Sequence, residues 1–405
     1  MRSLIGGIFE AFGGRSEVCF RVVFSDGSRY QNHDGAPELT LKFRNRRAEW
    51  NVLLFSHVGL LESYFTGSID IEGNLAKAFR IAMDSGFDRS STPLIAVRNW
   101  WHEWRFSNRS LKQAKANANY HYGQGTDFYR YWLDHPAMMY TCAYWKEGTR
   151  TLEEAQRNKM DHVCRKLQLK PGETLVDIGC GWGGLMFHAY DNYGALATGY
   201  NATTAQVQAL RQEIERRSLQ DKLKVEEKDF REVEGQFDKC ASIGVLEHAG
   251  KHQLPESIRA LAACLRPGGL GVLHYIGHVG RTGTEFYIRK HIFPGGWIPS
   301  LAETLELMAR HGLEILDVEN LRRHYALTLD DWAERFDANW DKIQQLDPQR
   351  FDEQFRRKWR VYLYSCAEMF RSRNSITHLF QITFSKGHVG YDYPMSRRYL
   401  YTSGS

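Results

Sequence analysis

The stretch Asp177-Ile178-Gly179-Cys180-Gly181-Trp182-Gly183-Gly184 limits what this chain can fold into more than any other. It follows an apolar run, Thr174 to Ile178, and precedes Leu185 to Tyr193, which has the character of a helix. Glycines at this spacing let the backbone turn sharply from strand to helix and come close to a ligand. Such a loop belongs at the carboxyl end of the first strand of an α/β sheet, where nucleoside cofactors bind. Spacing alone leaves the ligand open. A dinucleotide would set its pyrophosphate at the helix N-terminus, whereas a methyl donor without phosphate needs room there only for an amino-acid carboxylate and ammonium. The acid that reads a nicotinamide ribose should fall about 20 residues on, near Tyr200-Asn201, where there is neither Asp nor Glu. That counts against nicotinamide.

The surroundings extend the pattern. Thr151 and Glu154 form a capping box, and Met160, Val163, Cys164 and Leu167 follow at i, i+3, i+4, i+7, which predicts an amphipathic helix ended by Pro171-Gly172. After the loop come a strand over Ala195 to Tyr200, a helix over Ala205 to Arg217, and strands over Phe237 to Val245 and Gly271 to His274, the last introduced by a turn at Arg266-Pro267-Gly268-Gly269. That alternation predicts a mostly parallel sheet with helices on both faces. The leading part reads differently. Val18 to Phe24 and Ser28 to Tyr30 flank Asp26-Gly27 as a hairpin, and Leu39 to Phe43 follows Pro37 as a strand. A helical run around Val52, Leu53, Val58, Leu60 and Leu61 then leads to a turn at Gly67-Ser68-Ile69-Asp70. With 405 residues, the prior is two domains: a small α+β unit over 1–110 and a larger α/β unit over 111–405. Between them Arg98 to Ser110 carries Trp100, Trp101, Trp104 and Phe106 among charges, suited to a packing seam or a membrane interface.

Aromatic residues make up 13% of the chain, enough to line a site in a globular protein. The net charge of +5 gathers at Lys42, Arg44, Arg46 and Arg47, at Arg356, Arg357, Lys358 and Arg360, and at Arg371 and Arg373. These bunches suit phosphate or solvent equally. The seven cysteines include no closely spaced zinc-binding pair and suit no disulfide framework, so no metal is expected and a reducing cytoplasm is. Met1 to Gly14 lacks the form of a signal peptide, and no stretch reaches a span's roughly 18 apolar residues. Any membrane contact would be peripheral.

The order of the glycine loop, Asp229-Phe230, Asp238, Ser242-Ile243 and Glu247-His248 resembles class I methyltransferases. More narrowly, three segments resemble the cyclopropane fatty acid synthase family, including the mycolic acid cyclopropane synthases: Met139 to Trp145, Val176 to Gly184, and Ile292 to Ser300 with its Ile-Phe-Pro-Gly-Gly core. The likeness covers about the last 290 residues well and the leading unit loosely, through Glu62-Ser63-Tyr64-Phe65-Thr66-Gly67. It implies a Rossmann-like class I methyltransferase fold and S-adenosylmethionine as cofactor. The implied substrate is a cis double bond of a phospholipid acyl chain, methylated through a carbocation that closes to a cyclopropane. It also implies a bicarbonate base held by Cys142, Glu247, His274, the backbone of Ile276, and Tyr325. Around the cofactor it places Tyr140, Thr141, Gly179 and Gly181 at the methionine end, Asn201, Ala202 and Gln206 at the ribose, and Phe230 and Ile243 at the adenine. Phospholipid engagement or homodimer contacts fall to the small unit, at the inner face of the membrane, and nucleic acid is not an expected partner.

Each residue also has a plainer explanation. Cys142 alone reads as a small buried hydrophobe, His274 divides between core and site, and Tyr325 passes for a packing aromatic. Glu247 follows the fourth strand at the ligand-binding end, which favours function without any family. The chain departs from the family at His121-Tyr122-Gly123-Gln124-Gly125-Thr126-Asp127-Phe128-Tyr129, where Gly123 replaces an acid and Thr126 an amide. Thus a relative that adds a methyl or methylene without closing the ring stays open. A nucleic-acid or small-molecule methyltransferase would instead show polar base-reading groups in place of Cys142, Glu247, His274 and Tyr325, and an inert lipid-binding protein would show a broken loop.

Overall fold

The computed structural model describes residues 2–90, 92–108 and 110–401. Met1 and Arg109, which belong to the expected N-terminal and tryptophan-rich segments, lie outside them. The chain forms two compact units, and more than one cut separates them. The first unit joins Met1–Arg105 to Phe286–Ile292 and Leu329–Ser375; the second joins Phe106–Glu285, Phe293–Thr328 and Ile376–Ser405. The boundary that the sequence suggests near residue 110 therefore has a counterpart at 105, but two later segments belong with the leading unit. The reason is chemical. The helix Glu353–Arg371 buries Trp359, Val361, Tyr362, Leu363 and Phe370. From it Arg357 donates to the carbonyls of Tyr64 (2.9 Å) and Ile69 (3.2 Å), while Glu368 accepts from Arg80 (3.2 Å).

In the first unit, β1 (Phe20–Val23), β2 (Arg29–Gln31), β3 (Leu39–Phe43) and β4 (Ile69–Gly73) form a sheet in the order β2-β1-β3-β4. The hairpin forms where expected, with Gly27 at φ +82° and Phe24 bonded to Ser28. The turn expected at Gly67 to Asp70 is shorter: Ile69 already pairs with Phe43 as the first residue of β4. The helix Arg46–Phe65 is capped by Asn45 and interrupted at Ser56 (φ +45°). The basic bunches are in large part paired with carboxylates, as in Lys42–Glu72, Arg44–Asp70, Arg357–Asp70, Arg360–Asp337 and Arg371–Asp330. They are faces of intramolecular ion pairs more than a phosphate patch.

The second unit holds a seven-stranded sheet: β5 (Thr174–Ile178), β6 (Leu196–Tyr200), β7 (Leu223–Glu226), β8 (Phe237–Ile243), β9 (Leu265–His278), β10 (Leu313–Asn320) and β11 (Thr377–Lys386). The order is β10-β11-β9-β8-β5-β6-β7, and only β11 runs against its neighbours. The residues expected as a turn before β9 lie within that strand, as an excursion between the pairs Phe237/Leu265 and Lys239/Leu270. Helices Leu152–Lys166, Gly184–Tyr193 and Thr204–Arg216 bury Val163, Met186 and Leu210 on one face. Helices Leu254–Ala263 and Leu301–Arg310 bury Ile258 and Met308 on the other. The capping box forms, Thr151 Oγ1 accepting from the Glu154 N–H (3.2 Å) and Glu154 Oε2 from the Thr151 N–H (3.3 Å). Because the chain leaves β5 toward β6 on one side and returns to β8 on the other, a crevice opens at the carboxyl ends of β5 and β8.

Candidate active site

The glycine loop fills that crevice. Gly179, Gly181 and Gly183 have φ of +79°, +55° and +83°, a region that L side chains avoid. The N–H groups of Gly179 and Cys180 both donate to the Tyr200 carbonyl (2.8 and 3.2 Å), tying the loop to the end of β6. A Cβ at Gly179 would lie 2.2 Å from Val245 Cγ2, whereas one at Gly181 would meet nothing within 4 Å. Gly181 faces a pocket, and that pocket is lined by all nine residues expected at the cofactor: Tyr140, Thr141, Gly179, Gly181, Asn201, Ala202, Gln206, Phe230 and Ile243. Asn201 donates to the Gly181 carbonyl (3.2 Å) and to Gln206 Oε1 (3.0 Å), so the polar wall is ordered from within. Phe230 and Ile243 supply apolar walls suited to a flat base.

The departing segment closes one side. The His121 Nε2 and Tyr140 hydroxyl pair at 3.0 Å, the Tyr122 hydroxyl and His248 Nε2 at 2.9 Å, and Trp182 Nε1 donates to Thr126 Oγ1 (3.3 Å). Thr126 thus joins this segment to the glycine loop. At Gly123 a Cβ would lie 2.2 Å from the Asn119 carbonyl oxygen, so this backbone excludes a side chain there.

None of the five residues expected at the base lines the pocket. Four of them are linked by a chain of contacts, and His274 lies two residues before Ile276 on β9. Glu247 Oε1 accepts from the Ile276 N–H (2.6 Å), which commits that N–H to the glutamate. Ile276 pairs with Leu379 across β9 and β11, and the Leu379 carbonyl accepts from the Leu321 N–H (2.8 Å). The Leu321 carbonyl receives the Tyr325 N–H (3.2 Å) and lies 4.0 Å from Cys142 Sγ. His274 is buried, with Nδ1 beside the Gln381 Nε2 amide (3.0 Å). The amide donates to Nδ1, which leaves the ring proton on Nε2 of the neutral imidazole. Burial and the field of Lys159 hold His274 well below the usual imidazole range, and burial pushes the Cys142 thiol up. Burial also lifts Glu247 to about 7, against the pull of the Ile276 N–H. Two atoms stand out. Glu247 Oε2 and His274 Nε2 are sealed from solvent and have no hydrogen-bond partner among the described residues. The Ile292 to Ser300 segment supports them, since the Trp297 N–H donates to the Glu247 carbonyl (2.9 Å).

Sequence reasoning passed over several residues that hold this arrangement. Gln156 donates to the carbonyls of Met139 (3.1 Å) and Thr141 (2.9 Å), fastening the strap that carries Tyr140 and Cys142. Lys159 donates to Thr141 Oγ1 (2.8 Å), and Gln381 sets the His274 tautomer. The available signal was two polar side chains, one helical turn apart, on the buried face of a capped amphipathic helix.

This strand order, with a glycine loop at the end of β5 and a pocket beside it, is that of a class I S-adenosylmethionine-dependent methyltransferase. The profile of the mycolic acid cyclopropane synthetase family matches residues 109–382, and the chain belongs to that family of S-adenosylmethionine-dependent enzymes. Over 394 residues it is 33% identical to a probable fatty acid methyltransferase of Pseudomonas putida, covering 94% of this chain and 96% of that one. It is 31% identical to the cyclopropane-fatty-acyl-phospholipid synthase of Escherichia coli over 358 residues, 87% of this chain and 90% of that. Among solved structures, mycolic acid cyclopropane synthase CmaA1 complexed with SAH and CTAB superposes with a TM-score of 0.62 at 31% identity, covering 67% of this chain and 98% of that one. Coclaurine N-methyltransferase, at 20% identity and a TM-score of 0.66, shares the fold.

Proposed function

We propose that the protein is a cyclopropane synthase acting on a cis double bond of an unsaturated acyl chain in membrane phospholipid, with S-adenosylmethionine as donor and bicarbonate as base. The observation that carries this reading is that Glu247 Oε2 and His274 Nε2 are each sealed from solvent and without a hydrogen-bond partner among the described residues. A small hydrogen-bonding anion fits such a pair. His274 donates from Nε2, and Glu247, at about 7, carries a proton for part of the time at neutral pH and can donate as well. The bound sulfonium supplies an electrophilic methyl, and a bicarbonate in this place supplies a base for the proton that ring closure releases.

The rest of the work falls to the chain's own side chains. The alkene is a poor nucleophile, so the walls must hold it in line and exclude water that would trap a carbocation. The rings of Tyr140 and Tyr122 present π density to developing positive charge. The relative in Pseudomonas putida, matched over nearly its whole length, carries the name of a fatty acid methyltransferase, which favours a second reading in which the methyl or methylene product is released without ring closure. Incubation with methyl-labelled S-adenosylmethionine and vesicles of unsaturated phospholipid tests both. Ring protons at high field are expected; a methyl branch or exocyclic methylene supports the second reading, and unlabelled lipid contradicts both.

Access to an acyl chain requires a membrane surface. No helix of the described residues is long and apolar enough to cross a bilayer. The helix Pro93–Phe106 instead turns Ile95 and His102 inward and exposes Val97, Trp100, Trp101 and Trp104, which suits an interfacial anchor.

A further inference from the structure

The strap from Cys142 to Trp145 is bonded to the start of the helix Arg322–Ala338, which carries Tyr325. One buried hydroxyl joins the two segments. Thr328 Oγ1 accepts from the Ala143 N–H (3.1 Å) and from the Trp145 indole Nε1–H (3.0 Å), and it donates to the His324 carbonyl (2.8 Å). A threonine that bonds the carbonyl four residues back is ordinary in a helix; the two bonds it accepts from another segment are not. His324 adds a further bond, its Nδ1 accepting from the Trp145 N–H (2.9 Å), while its ring stacks on Tyr144 with centroids 4.7 Å apart. A ring nitrogen that accepts must be unprotonated. Burial, helped by Arg323 and His162 and opposed by Glu319, holds His324 below the usual imidazole range and so keeps it neutral. Ala143 directly follows Cys142, and Tyr325 directly follows His324, so these bonds sit beside Cys142 on one segment and beside Tyr325 on the other.

We propose that Thr328 is a positioning residue for the base site: its hydroxyl fixes the strap at Cys142 against the helical turn at Tyr325, and so holds these two residues in register. This rests on the reading of Glu247, His274, Ile276, Cys142 and Tyr325 as the seat of a bicarbonate. Other bonds fasten the strap on its remaining side. Gln156 holds the carbonyls of Met139 and Thr141, and the Tyr144 N–H donates to the Ala155 carbonyl (3.0 Å). These come from the helix Leu152–Lys166 and do not involve Thr328. Loss of the Thr328 hydroxyl therefore leaves Tyr140 and Thr141 in place at the cofactor pocket, but it strips the acceptor from the N–H of the fully buried Ala143. A buried N–H without a partner is costly, so the strap shifts at Cys142 and Ala143 until another acceptor or water reaches it. Anion binding weakens while cofactor binding does not.

The test uses the full chain with S-adenosylmethionine and vesicles of unsaturated phospholipid, in carbon-dioxide-free buffer to which sodium bicarbonate is added back. Wild type, Thr328→Val, Thr328→Ser and Trp145→Phe are compared. Thr328→Val keeps the branched shape and removes the hydroxyl. It is expected to raise the bicarbonate concentration for half-maximal turnover about tenfold or more, the scale of a buried N–H left unpaired. Its calorimetric affinity for S-adenosylmethionine is expected to stay within about threefold of wild type, as for a site that shares no partner with the change. Thr328→Ser, which keeps the hydroxyl, is expected to recover most of the difference. Trp145→Phe removes one of the accepted bonds without leaving an N–H unpaired, and is expected to raise the bicarbonate requirement by a smaller factor; should Thr328→Val not fold, this variant decides. An unchanged bicarbonate requirement in the deciding variant, an equal loss for bicarbonate and cofactor, or a Thr328→Ser enzyme as impaired as Thr328→Val would each overturn the proposal. Wild-type turnover independent of bicarbonate would overturn the reading of the base itself, and the proposal with it.

Discussion

At Glu247 the requirements of folding and of chemistry oppose each other. Its carboxyl is sealed on one oxygen and bonded to the Ile276 N–H on the other, and burial raises it from 4.5 to about 7. A carboxyl whose folded value is raised destabilises the folded state once ionised. The cost begins as pH rises past the unfolded value near 4.5 and is complete above about 7, where it is on the order of 3 kcal/mol. Glu247→Gln removes that cost while keeping an acceptor for Ile276. Melting curves at pH 8 should therefore show the variant more stable than wild type, with the gap closing toward pH 4. The same variant should bind cofactor within about threefold of wild type yet lose about 100-fold or more in kcat, the range typical of a lost acid–base partner. Unchanged turnover would remove Glu247 from the reaction, and an unchanged melting temperature at pH 8 would show that its burial carries no strain.

At the scale of elements, the loop between β5 and the helix Gly184–Tyr193 separates two uses of glycine. Gly179→Ala combines roughly 1–2 kcal/mol of left-handed backbone cost with a Cβ 2.2 Å from Val245. Gly181→Ala has the backbone cost alone, and its methyl points into the pocket. Both should weaken cofactor binding in calorimetry, and Gly179→Ala should show the larger fall in melting temperature; equal falls would contradict this division. This loop, the Thr151 capping box and the strand–helix alternation were legible because each is written in a few contiguous residues. Seven of the nine pocket positions follow the same logic, since they sit on or shortly after the ends of β5, β6, β7 and β8, whereas Tyr140 and Thr141 lie on a strap outside any strand. By contrast β7 is a four-residue edge strand with two exposed charges, and β11 enters between β9 and β10 from the far end of the chain. No local signal specifies that insertion, yet it places Leu379 and Gln381 against Ile276 and His274. Lys159 and Gln156 were missed for another reason: in sequence a Lys or Gln on a helix reads as a solvated face, even where, as here, its spacing to Met160 and Val163 sets it on the apolar side.

On the proposed reading the whole molecule must reach an acyl double bond that lies within a bilayer. The helix Pro93–Phe106 is held by Arg98, which bonds Glu62 (2.9 Å) and lies over the Phe55 ring (4.9 Å). Its opposite face leaves Trp100 and Trp104 each 69% exposed, too much aromatic surface in one stripe for a face that meets only water. A Trp ring buries roughly 150–250 Å², so at about 25 cal/mol per Å² even partial immersion of two rings contributes a few kcal/mol. The Trp100→Ala/Trp104→Ala variant should bind phospholipid vesicles at least about tenfold more weakly in co-sedimentation while binding S-adenosylmethionine like wild type. Undiminished vesicle binding would place the membrane contact elsewhere.

In the proposed mechanism the group held by Glu247, His274, Cys142 and Tyr325 takes a proton from the transferred methyl. It is tested most directly in the labelled-vesicle incubation by using a donor whose methyl carries three deuterons. A lipid product with two of them is expected, both on a ring carbon whose signal lies at high field. A product that keeps all three would mean that no methyl proton is removed, and would contradict it.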